Sequence, residues 1–126
     1  MDHRELIAVV DDDASVCKAL ARLLRTSQMD VETHASGDEL LRSLKQRDPD
    51  CLILDIRMPG MTGPQLRQRL LDMGHRIPVV FITAHAEEVA PDASTPADPV
   101  DILHKPFDNQ TLLDAIERAI KRRKEL

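Results

Sequence analysis

Apolar residues along this chain fall into short uninterrupted runs, separated by stretches where they recur every three or four positions. The runs lie at Leu6–Val10, at residues 51–54 and at residues 78–82, with a short apolar pair at 102–103; short strands are also expected at residues 31–34 and 102–104. A continuous apolar run of about five residues predicts a strand covered on both faces, as in a parallel sheet. Between the runs, helical spacing puts Val16, Leu20, Leu23 and Leu24 on one face of a helix over residues 14–25. Leu40, Leu41 and Leu44 do the same for a helix that runs through Lys45, and Leu66, Leu70 and Met73 for a third. Leu112, Leu113, Ile116, Ala119 and Ile120 form the stripe of a last one.

Helix starts are marked independently of the periodicity. Ser36 with Glu39, and Thr62 with Gln65, are capping-box signatures; Pro64 sits in a first helical turn, and Asp108 can cap the last helix. Asp48-Pro49-Asp50 reads as a turn, and Gly60 and Gly63 suit a loop that needs unusual backbone angles. Strands alternating with helices predict an α/β fold: one doubly wound, five-stranded parallel sheet of the flavodoxin-like class, strand order 2-1-3-4-5. It is expected to be a single domain over residues 1–126, with its core at about 5–123. One segment breaks the rhythm. Pro91, Pro96 and Pro99 interrupt the stretch where a fourth helix should return the chain, so an irregular loop is expected there.

Four of the five expected strands lead into residues with chemistry. The first reaches Asp11, Asp12 and Asp13, the next Asp55, the next Thr83, and the last passes through His104 to Lys105. In an open parallel sheet, ligand sites lie beyond the carboxyl ends of the strands. Carboxylates, a hydroxyl and an ammonium therefore converge on one rim. Crowded carboxylates repel and call for a cation, and oxygen ligands of this kind suit Mg2+. Phosphoryl transfer onto an aspartate is the first chemistry that such a group suggests.

Composition narrows the alternatives. At 126 residues and 42% hydrophobic content the chain can bury a real core, and its net charge of −5 does not favour nucleic acid. The basic run Lys121-Arg122-Arg123-Lys124 falls where a last helical turn gains from cations. Aromatic content is 2%, Phe81 and Phe107, too little for a base-stacking platform or for covering a flavin. Cys17 and Cys51 stand in no metal or redox spacing and are read as small buried hydrophobes. His3 and His75 read as loop residues, and His34 and His104 lack metal spacing. His85, two residues after Thr83, could overhang the reacting group. With no signal segment before residue 6 and no apolar stretch of membrane length, the cytoplasm is the expected location and no membrane partner is expected.

Four motifs in order after four predicted strands carry a family resemblance: Val-Asp-Asp at 10–12, Asp-Ile-Arg-Met-Pro-Gly-Met-Thr-Gly at 55–63, Ile-Thr-Ala at 82–84 and Lys-Pro-Phe at 105–107. The chain resembles the receiver (CheY-like) domain of two-component response regulators, and the Arg-Met-Pro-Gly-Met wording is similar to receivers of helix-turn-helix transcription regulators. The resemblance implies that Asp55 accepts a phosphoryl group from a sensor histidine kinase. It implies that Asp12 directly, Asp11 through water, Asp55 and the backbone carbonyl of Arg57 hold Mg2+. It also implies that Lys105 pairs with a phosphoryl oxygen, that Thr83 donates its hydroxyl to another, and that a cis bond at Pro106 turns Lys105 toward the site. The activity implied is self-catalysed phosphorylation and slow hydrolysis, which is not that of an enzyme. The partners implied are the kinase and a downstream output domain or protein, with no nucleic acid bound by this domain itself.

Two departures from the family pattern lie on the output side. Ile102 stands where receivers usually carry Tyr or Phe, so ring rotation cannot accompany movement of Thr83. The proline-rich stretch replaces most of the helix that commonly signals, so phosphorylation is expected to order a loop at residues 86–99. A receiver-shaped interaction module that works without phosphorylation is the competing reading. An aspartyl-phosphatase would need a second acid where Arg57 stands. The sequence leaves homodimerisation open, and residues after the last helix leave no room for a DNA-binding domain within this chain.

Overall fold

The computed structural model describes residues 4–44, 47–84 and 100–124. In chain order its elements are β1 (Leu6–Val10), α1 (Ala14–Thr26), β2 (Asp30–His34), α2 (Gly37–Ser43), β3 (Cys51–Asp55), α3 (Gly63–Asp72), β4 (Val79–Thr83), β5 (Asp101–His104) and α4 (Asn109–Lys124). All strand pairs are parallel and the order is β2-β1-β3-β4-β5. The flavodoxin-like sheet expected from the sequence is therefore the observed one.

Why three strands read so clearly follows from their place. β1, β3 and β4 are central and buried along nearly their whole length, whereas β2 and β5 are edges with mixed exposure. Side chains alternate across the sheet, so each strand feeds two cores. Ile7, Val9, Ile53, Val80 and Ile82 pack against Leu20 and Leu24 of α1 and Leu112 and Ile116 of α4. Ala8, Val10, Leu52, Leu54 and Phe81 pack against Leu40 of α2 and Leu66 and Leu70 of α3. The four helices among the described residues thus divide two and two over the faces.

The helix starts follow the sequence signals closely. Asp13 caps α1, its carboxylate accepting the N–H groups of Ser15 at 2.9 Å and Val16 at 3.4 Å. The Thr62–Gln65 box is closed in both directions. The Asp108 carboxylate accepts the Thr111 N–H at 2.7 Å, and the Thr111 hydroxyl, with that N–H, holds its pKa below the usual range. At α2, Ser36 Oγ accepts the Glu39 N–H, but the Glu39 carboxylate reaches back to the Ala35 N–H instead of closing on Ser36.

Four local expectations are corrected. Helix α2 ends at Ser43, with Leu44 as its cap, and Lys45 lies outside the described residues. Met73 lies just past the last helical residue, Asp72, as the cap of α3, and is 54% exposed. Residues 48–50 are not a tight turn. Asp50 runs beside β1, its N–H donating to the Leu6 carbonyl at 2.8 Å and its carboxylate accepting the Leu6 N–H at 2.7 Å. Gly60 does have a left-handed φ of +82°, but Gly63 does not; its lack of a side chain serves close packing. The proline-rich stretch, the expected loop at 86–99 and His85 lie outside the described residues.

Candidate functional site

Strand alternation decides which side chains meet at the carboxyl rim. Ile7, Val9, Ile53 and Leu103 face the α1/α4 side, so the positions two further on, Asp11, Asp55 and Lys105, emerge on that same side. Thr83 follows Phe81 onto the opposite side, toward α2 and α3. Backbone bonds lock these rims together: Ile56 N–H donates to the Ile82 carbonyl at 3.0 Å, and Lys105 N–H to the Thr83 carbonyl at 2.7 Å.

Asp11, Asp12 and Asp55 each offer a carboxylate oxygen, all within 4.8 Å of one another. Their surroundings differ. Asp11 is buried and both of its oxygens accept hydrogen bonds, one from the Asp13 N–H at 2.9 Å and one from Lys105 Nζ at 3.0 Å. Asp12 is exposed, beside a groove that Cys17, Lys18, His34 and Glu39 also line. Asp55 is 8% exposed. Burial, and then the charge of Asp11, push the Asp55 carboxyl up to about 6, against the opposing pull of Lys105 and the Arg57 N–H bonded to it. A carboxylate that resists ionisation beside two others is a site short of positive charge. The donor set is hard oxygen throughout, which fits a small divalent cation and gives no footing to a soft one.

The remaining candidate residues fall around this group. Thr83 is 1% exposed at the end of the neighbouring strand. The Lys105–Pro106 bond is cis. Ile102 is half-buried against the α2/α3 core, on the same face of the sheet as Thr83 and two residues before Thr83's register partner, His104. Arg57 is exposed two residues past the end of β3.

Sequence reasoning did not find the bond from Lys105 to Asp11, 94 positions away. It also missed the Cys17 thiol, which donates to the Asp11 carbonyl at 3.2 Å and helps hold the acidic turn in place. Burial raises that thiol's pKa, and pushes that of Cys51 up to about 12, so both stay protonated donors rather than nucleophiles. Helical spacing from Asp13 does place Cys17 one turn into α1, and that was the available signal. His75, read as a plain loop residue, is bonded through Nδ1 to Asp48 at 3.0 Å. Among the described residues no helix is long and apolar enough to cross a membrane.

Comparison with known proteins agrees with this arrangement. Residues 7–117 match the family model of the response regulator receiver domain. Response regulator protein TmoT of Ectopseudomonas mendocina is 36% identical over 120 residues, covering 95% of this chain and 54% of that protein. Transcriptional regulatory protein TdiR of Thauera aromatica is 34% identical over 120 residues, with 95% of this chain and 53% of that one covered. The structure of response regulator StyR superposes with a TM-score of 0.88 at 39% identity, covering 98% of this chain and 62% of that one. The chain spans about half the length of the curated relatives it matches. With its sheet order, its rim of acids and its family match in agreement, the chain belongs to the response-regulator receiver family of two-component systems.

Proposed function

We propose that this domain, residues 1–126, is a phosphoacceptor switch in which Asp55 receives a phosphoryl group from a phosphohistidine of a sensor histidine kinase. One Asp55 oxygen attacks phosphorus as the P–N bond breaks; the electron pair stays on the imidazole nitrogen, which takes up a proton, and an aspartyl phosphate results. A carboxylate is a weak nucleophile toward phosphorus, so the rate has to come from positioning and charge neutralisation. The observation that carries this reading is the cluster of three carboxylates within 4.8 Å of one another, in which burial and then the charge of Asp11 raise the Asp55 carboxyl.

Asp12, Asp55 and the Arg57 carbonyl would hold Mg2+, with Asp11 acting through water. Both Asp11 oxygens are already engaged, which suits it to the indirect role, while exposed Asp12 is open to direct ligation. When bound, the ion supplies positive charge against the carboxylates and the phosphoryl oxygens. Lys105 would leave Asp11 for a phosphoryl oxygen, and Thr83 would turn its hydroxyl to another. Such a domain modifies itself and acts on no other substrate, so it is not an enzyme in the ordinary sense. Its setting would be the cytoplasm, and its output, in keeping with relatives named as transcription regulators, would be control of transcription through a separate domain or protein.

Incubation with acetyl phosphate and Mg2+ tests this directly, because the acyl P–O bond can break in place of P–N and release acetate. Intact mass should rise by one phosphoryl group in the parent and not in Asp55→Asn. No gain in the parent would favour the phosphorylation-independent interaction module instead.

A further inference from the structure

We infer that Gly63 is a positioning residue for Asp55, an inference that rests on the reading of Asp55 as the phosphoacceptor. Gly63 opens α3, and a Cβ built on it would lie 2.5 Å from the Asp55 carbonyl oxygen and 3.2 Å from both the Asp55 carbonyl carbon and the Ile56 Cα. All three contacts are backbone. The contrast with the other glycines is informative. Gly60 and Gly74 have φ of +82° and +88° with nothing within 4 Å, so they serve the turn of the chain. A Cβ at Gly37 would meet the Met61 sulfur at 2.8 Å, a flexible side-chain end that can swing aside. At Gly63 neither explanation applies, because its φ is not left-handed and the neighbour is the strand that carries the reacting group.

The chain around Gly63 leaves little slack to absorb a side chain. Its N–H donates to the Ile56 carbonyl at 3.0 Å, and Ile56 N–H in turn bonds to Ile82 in β4 at 3.0 Å. On the helix side, the closed Thr62–Gln65 box fixes the first turn of α3. Real Cβ atoms essentially never come within 3.0 Å of such an atom, so a side chain at 63 must part α3 from β3 by about half an ångström. Residues 55–57 would move together, and with them the Asp55 carboxylate and the Arg57 N–H bonded to it, relative to Asp11 and Asp12. A misplacement of about 1 Å near reacting atoms slows a reaction about a hundredfold; half of that points to a loss of about tenfold.

The test compares Gly63→Ala with Gly74→Ala, which strains the backbone remote from the site. Initial rates of phosphorylation by acetyl phosphate are measured at saturating Mg2+ and well below both melting temperatures, with Mg2+ affinity read separately by calorimetry. Gly63→Ala should react about tenfold more slowly and bind Mg2+ several-fold more weakly, while Gly74→Ala should lose thermal stability yet stay within about twofold of the parent on both counts. If Gly63→Ala does not fold, Thr62→Ala loosens the same helix start without adding an atom. It should slow the reaction a few-fold, whereas Ser36→Ala, the matching cap loss at α2, should not. A parent that is phosphorylated, with Gly63→Ala (or Thr62→Ala) reacting at the parental rate, overturns the role of Gly63 alone. A parent that is not phosphorylated overturns the reading of Asp55 and this inference with it.

Discussion

Replacing the Asp55 carboxylate by an amide should make the metal-free protein more stable. In the folded chain the Asp55 carboxyl is raised from the ordinary 3.8 to about 6, chiefly by burial and by the neighbouring Asp11. Between those two values the folded state binds more protons than the unfolded state, so stability falls as pH rises through the window. Below pH 3.8 the penalty is absent, and above about 6 it is fully developed. The shift corresponds to about 3 kcal/mol at neutral pH. The amide of Asp55→Asn keeps an oxygen for the Arg57 N–H and turns a neutral group toward Asp11, so about 2 kcal/mol of this should be recovered. For a domain of this size that is a rise in melting temperature of about 5–10 °C. Thermal unfolding in EDTA at pH 7.5 and again at pH 4.5 provides the assay, with the advantage expected to shrink at the lower pH. Mg2+ at ten times its dissociation constant should then return about 1.4 kcal/mol to the parent and less to the variant. A variant no more stable than the parent at pH 7.5, or one whose advantage ignores pH, would refute the electrostatic argument.

Three further outcomes are expected. Lys105→Met removes the partner of a buried Asp11 oxygen and should cost about 2 kcal/mol in urea unfolding without metal, with much of the loss restored by Mg2+. Phe81→Ala, at a fully buried position of β4, should cost about 3–5 kcal/mol by the same measurement, with no recovery on adding the ion. Thr83→Val keeps the shape of a side chain that is 1% exposed but removes its hydroxyl. Mass gain from acetyl phosphate should survive in it, while the amide shift changes that accompany phosphorylation at residues 82–84 should diminish.

The sequence made the fold legible where burial on both faces left no polar interruption, at β1, β3 and β4. Edge strands carry a weaker pattern, and β2 and β5 each begin one residue earlier than their apolar content suggested. The site was legible because chemistry in a parallel sheet gathers at strand ends, and the strand ends could be read. What stayed hidden were pairings between distant residues: Lys105 with Asp11, Asp50 with the backbone of β1, and His75 with Asp48. No local period encodes these. Met73 misled for a different reason, since it keeps helical spacing from Leu66 and Leu70 at a position where the helix has already ended. Gly63 was singled out for the wrong property. A glycine letter records only that a side chain is missing, and only the neighbouring backbone distinguishes a need for an angle from a need for room.

Because Asp11, Asp55 and Lys105 emerge on one side of the sheet and Thr83 on the other, strand length is itself a functional quantity. Losing a single residue from β4 would leave every motif spelled out in order, yet would send the hydroxyl to the wrong side of the partition. A one-residue deletion inside β4 is therefore expected to disable the site while leaving its acids untouched.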